Sequence, residues 1–68
     1  MTEEEYAELE PLYHQYKVAI PTWPEISVSK VQLAYRFGYN RACRLLETLA
    51  EHGHLHWDNK TGNYSRPS

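Results

Sequence analysis

The run FGYNRACRLLETLAEHG, residues 37–53, constrains the fold more than any other part of the chain. Projected at roughly 100° per residue, Ala42, Leu45, Leu46 and Leu49 gather within about 100° of arc. Asn40, Arg44, Glu47 and Glu51 fall on the opposite side, with Arg41 and Thr48 at its edge. A leucine stripe of this kind predicts a helix with one face seated on a core and the other presented outward. Gly53 is the expected cap just past its end, because glycine enters the left-handed region without strain. The stripe is stable only if other elements cover it, so the remaining residues must supply them.

Those elements are legible in outline. At 68 residues the chain is one small domain, and a chain of that size buries only roughly 60% of the surface its unfolded form exposes. Residues 3–9 have the makings of a helical turn or two, and the first firm helix is expected near Pro11, a residue suited to a first helical position. Leu12, Tyr16, Ala19 and Ile20 then share one face, and Pro21 and Pro24 stop the helix. Ile26 suits a very short strand. Ser27 or Ser29 is placed to cap a second helix, and Ser29 with Gln32 has the spacing of a capping box. Val28, Val31 and Tyr35 line that helix, and Gly38 is expected to end it in a left-handed turn. Beyond Gly53, Leu55 and Trp57 alternate with His54 and His56, the turn-rich residues 58–62 follow, and residues 63–66 return as the second arm of a β-hairpin. The expected class is therefore α+β, mainly α. In detail it is a winged helix-turn-helix of three helices plus a C-terminal β-hairpin wing, spanning residues 10–66 behind an acidic leader at 1–9.

The charge distribution sharpens this. Five of the nine acidic residues lie in the first ten positions, whereas residues 11–68 hold seven Lys and Arg against Glu25, Glu47, Glu51 and Asp58, a balance of +3. A mildly basic body is compatible with a polyanionic partner. The one cysteine, Cys43, has no partner for an intrachain disulfide, which fits a reducing compartment. It sits beside the apolar stripe and is expected to pack as a small residue. No apolar run approaches the ~20 residues of a membrane span, and the acidic N-terminus is unlike a signal peptide. A cytoplasmic location is expected, with no membrane association. No nucleophile triad, carboxylate pair or phosphate loop is visible, so no enzyme and no cofactor are expected. His52, His54 and His56 lack a cysteine pair or a third fixed ligand and are expected to be surface histidines, not a metal site.

Residues 27–53 resemble the gamma domain of FtsK/SpoIIIE-type bacterial DNA translocases. The resemblance rests on S-x-S-x-x-Q (Ser27, Ser29, Gln32), on Tyr35, and above all on GYNRAxR (Gly38 to Arg44), followed by LLE and Gly53; Glu10-Pro11-Leu12-Tyr13 also looks like that family's first-helix opening. The resemblance implies a winged helix that recognises short G-rich sites in double-stranded DNA and touches a site-specific recombinase. It also implies that Asn40, Arg41, Arg44 and Glu47 occupy DNA-contacting positions. Since no Walker motif or motor accompanies the domain and the chain opens at Met1, the expectation is a stand-alone binding protein, a regulator or accessory factor, in the manner of a phage or mobile-element product.

The residue chemistry agrees. In a helix-turn-helix the second helix, here about 39–52, enters the major groove by its N-terminal end. Arginine matches the N7 and O6 acceptors of guanine, asparagine pairs with adenine, and glutamate accepts from cytosine N4. Arg44 is the foremost base reader, and Arg41 at the edge of the face suits a phosphate. Lys60 at the wing tip and Arg66 nearby, together with Lys30 and Arg36 flanking the second helix, are further candidates for backbone phosphate. The bland counterpart is a solvated helix face with Arg44 paired to Glu47 or Glu51. The rival function is a protein-interaction module or adaptor, binding a recombinase or other DNA-processing protein, with the acidic leader, Leu33, Trp23 and an exposed tyrosine as its docking surface. Trp23, between two prolines, reads equally as a cap on the core or an exposed knob.

Overall fold

The structure is a computed structural model that describes residues 2–67. It is mainly helical, with a two-stranded antiparallel sheet. In chain order come α1 (Glu3–Leu9), α2 (Tyr13–Ala19), a 3-10 turn (Ile20–Thr22), α3 (Val28–Tyr35), α4 (Tyr39–Glu51), β1 (His56–Asp58) and β2 (Asn63–Ser65). Among the described residues four α-helices stand where three were expected, because the acidic residues at the start form a helix of their own.

Residues 3–9 pack on the body through Tyr6, which lies in the core cluster. A capping box starts α1. Thr2 Oγ1 accepts from the Glu5 backbone N–H at 3.2 Å while Glu5 Oε1 accepts from the Thr2 backbone N–H at 3.1 Å. Glu3, Glu4 and Glu5 occupy the first turn, where negative charge is favoured by the helix dipole. Tyr6 carries α1 into the core, stacking edge-on against Tyr13 with ring centroids 5.0 Å apart. The chain then turns through Pro11, and α2 begins at Tyr13 with Leu12 as its N-cap.

Ser27, rather than Ser29, caps α3: its Oγ accepts from the Lys30 backbone N–H at 3.2 Å. The left-handed residue that ends α3 is Arg36 (φ 57°, ψ 39°), not Gly38. Gly38 instead stands in extended backbone (φ −70°, ψ 164°) as the N-cap of α4. The tight turn thus falls two residues earlier than the glycine suggests, since α3 stops once Tyr35 has met the core. Gly53 does adopt the expected positive φ of 82° at the end of α4, and the His54 backbone N–H reaches back to the Leu49 carbonyl at 2.8 Å.

The stripe of α4 is buried completely: Ala42, Leu45, Leu46 and Leu49 are each 0% exposed. Each of the three leucines contributes about 1.5–3 kcal/mol when fully buried. Tyr13, Ile20, Val31 and Leu55 close around them. One end of the core is aromatic. Tyr35 lies 4.5 Å from Tyr16 and 5.6 Å from Phe37, centroid to centroid, and Trp23 stacks on its outer side at 5.7 Å. Trp23 therefore covers the core.

The hairpin pairs His56 with Ser65, Trp57 with Tyr64 and Asp58 with Asn63. Gly62, at φ 72°, lets the loop close. The short strand expected at Ile26 is a single antiparallel bridge to Tyr64, whose N–H donates to the Ile26 carbonyl at 3.1 Å. This bridge ties the segment before α3 to the hairpin after α4, and so fixes the hairpin alongside the α3–α4 pair. Among the described residues, no helix is long and apolar enough to cross a membrane.

Candidate nucleic-acid interface

The N-terminal half of α4 brings Asn40, Arg41 and Arg44 together. All three are exposed and line a groove of about 260 Å³ whose other wall is Tyr6, Leu9 and Glu10. The packing of the leucine stripe dictates this arrangement, because it leaves the opposite face of the helix no partner but α1 at one edge and the hairpin at the other. On the hairpin side, Cys43 and Glu47 lie close enough to Tyr64 to add to the burial that pushes its hydroxyl above the ordinary tyrosine range. Tyr39, 64% exposed, stands at the first position of α4 on this same side of the helix.

The two arginines differ sharply. Arg44 has no carboxylate partner among the described residues; the pairing with Glu47 or Glu51 that a bland surface helix would show is not formed. Arg41 is held on three counts. Its Nε donates to Glu10 Oε2 at 2.8 Å, its Nη2 donates to Glu10 Oε1 at 2.5 Å, and its Cζ lies 4.0 Å above the centre of the Phe37 ring. Glu10 is only 4% exposed, and its hydrogen bonds push the Arg41 guanidinium further above its already high ordinary value. In the sequence Glu10 stands out only as part of a helix opening, not as a partner of Arg41. It stands 31 residues from Arg41, a separation at which no periodicity links two side chains.

The first turn of α4 has a second feature. Gly38 offers no side chain to accept from the leading amides, and no side-chain cap bond is present. Backbone N–H groups at a helix start carry partial positive charge and favour an anion nearby. The absent cap leaves these leading amides without a side-chain acceptor.

The remaining expected contacts are dispersed. Lys60 is exposed in the hairpin loop, its backbone N–H bound to Asp58 Oδ1 at 2.9 Å, and Arg66 is exposed just past β2. Arg36 is exposed in the left-handed link between α3 and α4. Lys30 is exposed on the first turn of α3 and borders a separate groove of about 240 Å³ with Trp23, Pro24, Glu25 and Ala34. Glu47 is exposed one turn beyond Arg44. None of Lys30, Arg36, Lys60 and Arg66 is paired with a carboxylate among the described residues.

The histidines behave unequally. His54 meets Glu3 through its Nε2, and the same carboxylate accepts from the Tyr13 hydroxyl at 3.0 Å and lies 3.8 Å from Lys17 Nζ. Those contacts, with His54 first and Tyr13 second, hold the Glu3 carboxyl below its ordinary value. Burial, with Glu3 adding to it, pushes the Tyr13 hydroxyl well above the tyrosine range. This cluster ties the first turn of α1 to the loop after α4. His52 Nε2 is buried without a hydrogen-bond partner, and His56 is exposed. Among the described residues, no three His, Cys, Asp or Glu side chains come together in a metal-binding arrangement.

Compared with known proteins, the chain matches no family model, no curated protein and no solved structure.

Proposed function

We propose that this chain binds double-stranded DNA without enzymatic activity, as a winged helix-turn-helix whose α4 enters the major groove by its N-terminal end. The observation that carries the reading is the exposed, carboxylate-free guanidinium of Arg44 beside Asn40, on the open face of a helix whose leading amides have no side-chain cap. Helix, turn and helix are followed by a hairpin that is hydrogen-bonded back to Ile26, which is the order of elements a wing requires. The likeness of GYNRAxR to the gamma domain of FtsK/SpoIIIE-type translocases supports the same reading and favours a G-rich site.

Roles follow from chemistry. Arg44 offers paired donors to guanine N7 and O6, and Asn40 offers the donor and acceptor that adenine matches. Lys60 and Arg66 at the hairpin, with Lys30 and Arg36 beside α3, supply charge for backbone phosphate. Phosphate contacts of this kind position the protein without reading sequence. With few such contacts, a single copy binds weakly, and a regulator or accessory factor of this size gains strength from use in several linked copies.

The test is duplex binding by fluorescence anisotropy across a salt series, first with random-sequence DNA and then with sites selected from a random pool. Affinity is expected to fall steeply as salt rises, as counterion release demands. Arg44→Ala is expected to lower discrimination between selected and random sites by about 1–3 kcal/mol. Absence of any duplex binding by the wild type at low salt sinks the reading.

A further inference from the structure

We infer that Glu10 is a specificity-determining positioning residue, holding Arg41 so that the free edge of its guanidinium reads a guanine. The inference rests on the duplex-binding reading above and names which arginine it makes selective, and how.

An arginine side chain carries five N–H donors in a planar fork. Glu10 occupies Nε and one hydrogen of Nη2. The edge made by Nη1 and the second Nη2 hydrogen remains, and 53% of the Arg41 side chain is exposed. Phe37 fixes the plane of the guanidinium from one face. The side chain is thus held at its base and on its flank and is open at its tip. Ordering a long side chain in advance removes an entropy cost from binding. It also confers selectivity, since a rigid fork tolerates misplacement of its acceptors less well than a mobile one.

The charge of the pair decides what the tip reads. The Glu10 carboxylate is nearly buried and lies within 2.8 Å of the guanidinium it serves. To a phosphate, such a pair presents little net charge and a repelling carboxylate close behind. To guanine, whose N7 and O6 are neutral acceptors, it presents an aligned pair of donors with little electrostatic penalty. Arg44, free of any carboxylate among the described residues, keeps its full charge and serves phosphate and base alike. Arg41 therefore contributes sequence discrimination out of proportion to affinity, and Glu10 is the reason.

The experiment compares wild type, Glu10→Gln and Arg41→Lys. The probes are the duplex that wild type selects from a random pool, its single-pair variants in which G·C becomes A·T, and a random-sequence duplex. Glu10→Gln is expected to lose roughly tenfold in discrimination at one G·C pair. Its binding to the random duplex is expected to strengthen, with a salt slope steeper by about 0.9, because Arg41 regains its charge. Opposite signs for selective and non-selective binding separate this role from a structural one, which lowers thermal stability and leaves the selectivity profile of the folded protein intact. Arg41→Lys, which keeps the ion pair and loses the fork, is expected to lose selectivity at the same pair, and it carries the test if Glu10→Gln does not fold. In the free protein, the Arg41 Nε–H resonance is expected to exchange slowly in wild type and rapidly in Glu10→Gln.

An unchanged selectivity profile in both variants, or equal exchange at Nε–H, overturns the role of Glu10 while leaving duplex binding standing. A wild type that selects no duplex overturns both.

Discussion

α3 spans eight residues and fully buries only Val31, whereas α4 spans thirteen and fully buries Ala42, Leu45, Leu46 and Leu49. The ends are reversed. α3 begins with a serine that accepts from its third backbone amide, and α4 begins with a glycine that accepts from none. A helix with little core to hold it depends on its cap and on neighbours such as Trp23, stacked on Tyr35. A helix anchored by four buried side chains can leave its first turn bare. The difference teaches where a small domain can place a site. The leading amides of α4 remain open to a ligand because the far side of the same helix supplies the stability that a cap would otherwise provide.

Three substitutions break or sharpen this contrast. The largest effect is expected from Leu45→Ala, which deletes a fully buried side chain and should cost about 2–5 kcal/mol in urea unfolding. A loss no greater than that of a surface substitution would mean that the stripe does not anchor α4. Next in size is Ser27→Ala, expected to cost about 1 kcal/mol by removing the cap of α3. If it proved neutral, α3 would be held by packing as α4 is, and the contrast would collapse. The smallest effect is expected from Gly38→Ser. A Cβ at this position meets nothing within 4 Å and the backbone is extended, so a serine cap should add a few tenths of a kcal/mol. The informative outcome is the combination. A more stable fold that binds duplex DNA less tightly would indicate that the uncapped amides are reserved for the ligand, and equal binding would indicate that they are not.

Much of this molecule was legible before folding. The extent of α4, its buried stripe and its open face follow from spacing, and the hairpin follows from alternation and turn residues. The single bridge at Ile26 was legible as a very short strand. Less legible were the ends. Gly38 suggested a left-handed turn, yet Arg36 adopts it, since the position of a turn depends on where the preceding helix runs out of core. The acidic start read as a leader because its charges dominate its pattern. A single tyrosine, Tyr6, seats it, and one buried residue in seven leaves no periodic signal.

By itself the sequence determined which helix would be half buried and which of its side chains would face outward, because 3.6-residue periodicity is a local property of the chain. Only the tertiary structure decided that the two outward arginines would have different environments. The carboxylate that holds Arg41 comes from the residue that ends α1, 31 residues away, and Arg44, three positions further along α4, forms no ion pair with it. Contacts between distant segments arise from the docking of whole elements, and docking is set by the shapes of the surfaces that meet, which no linear spacing records.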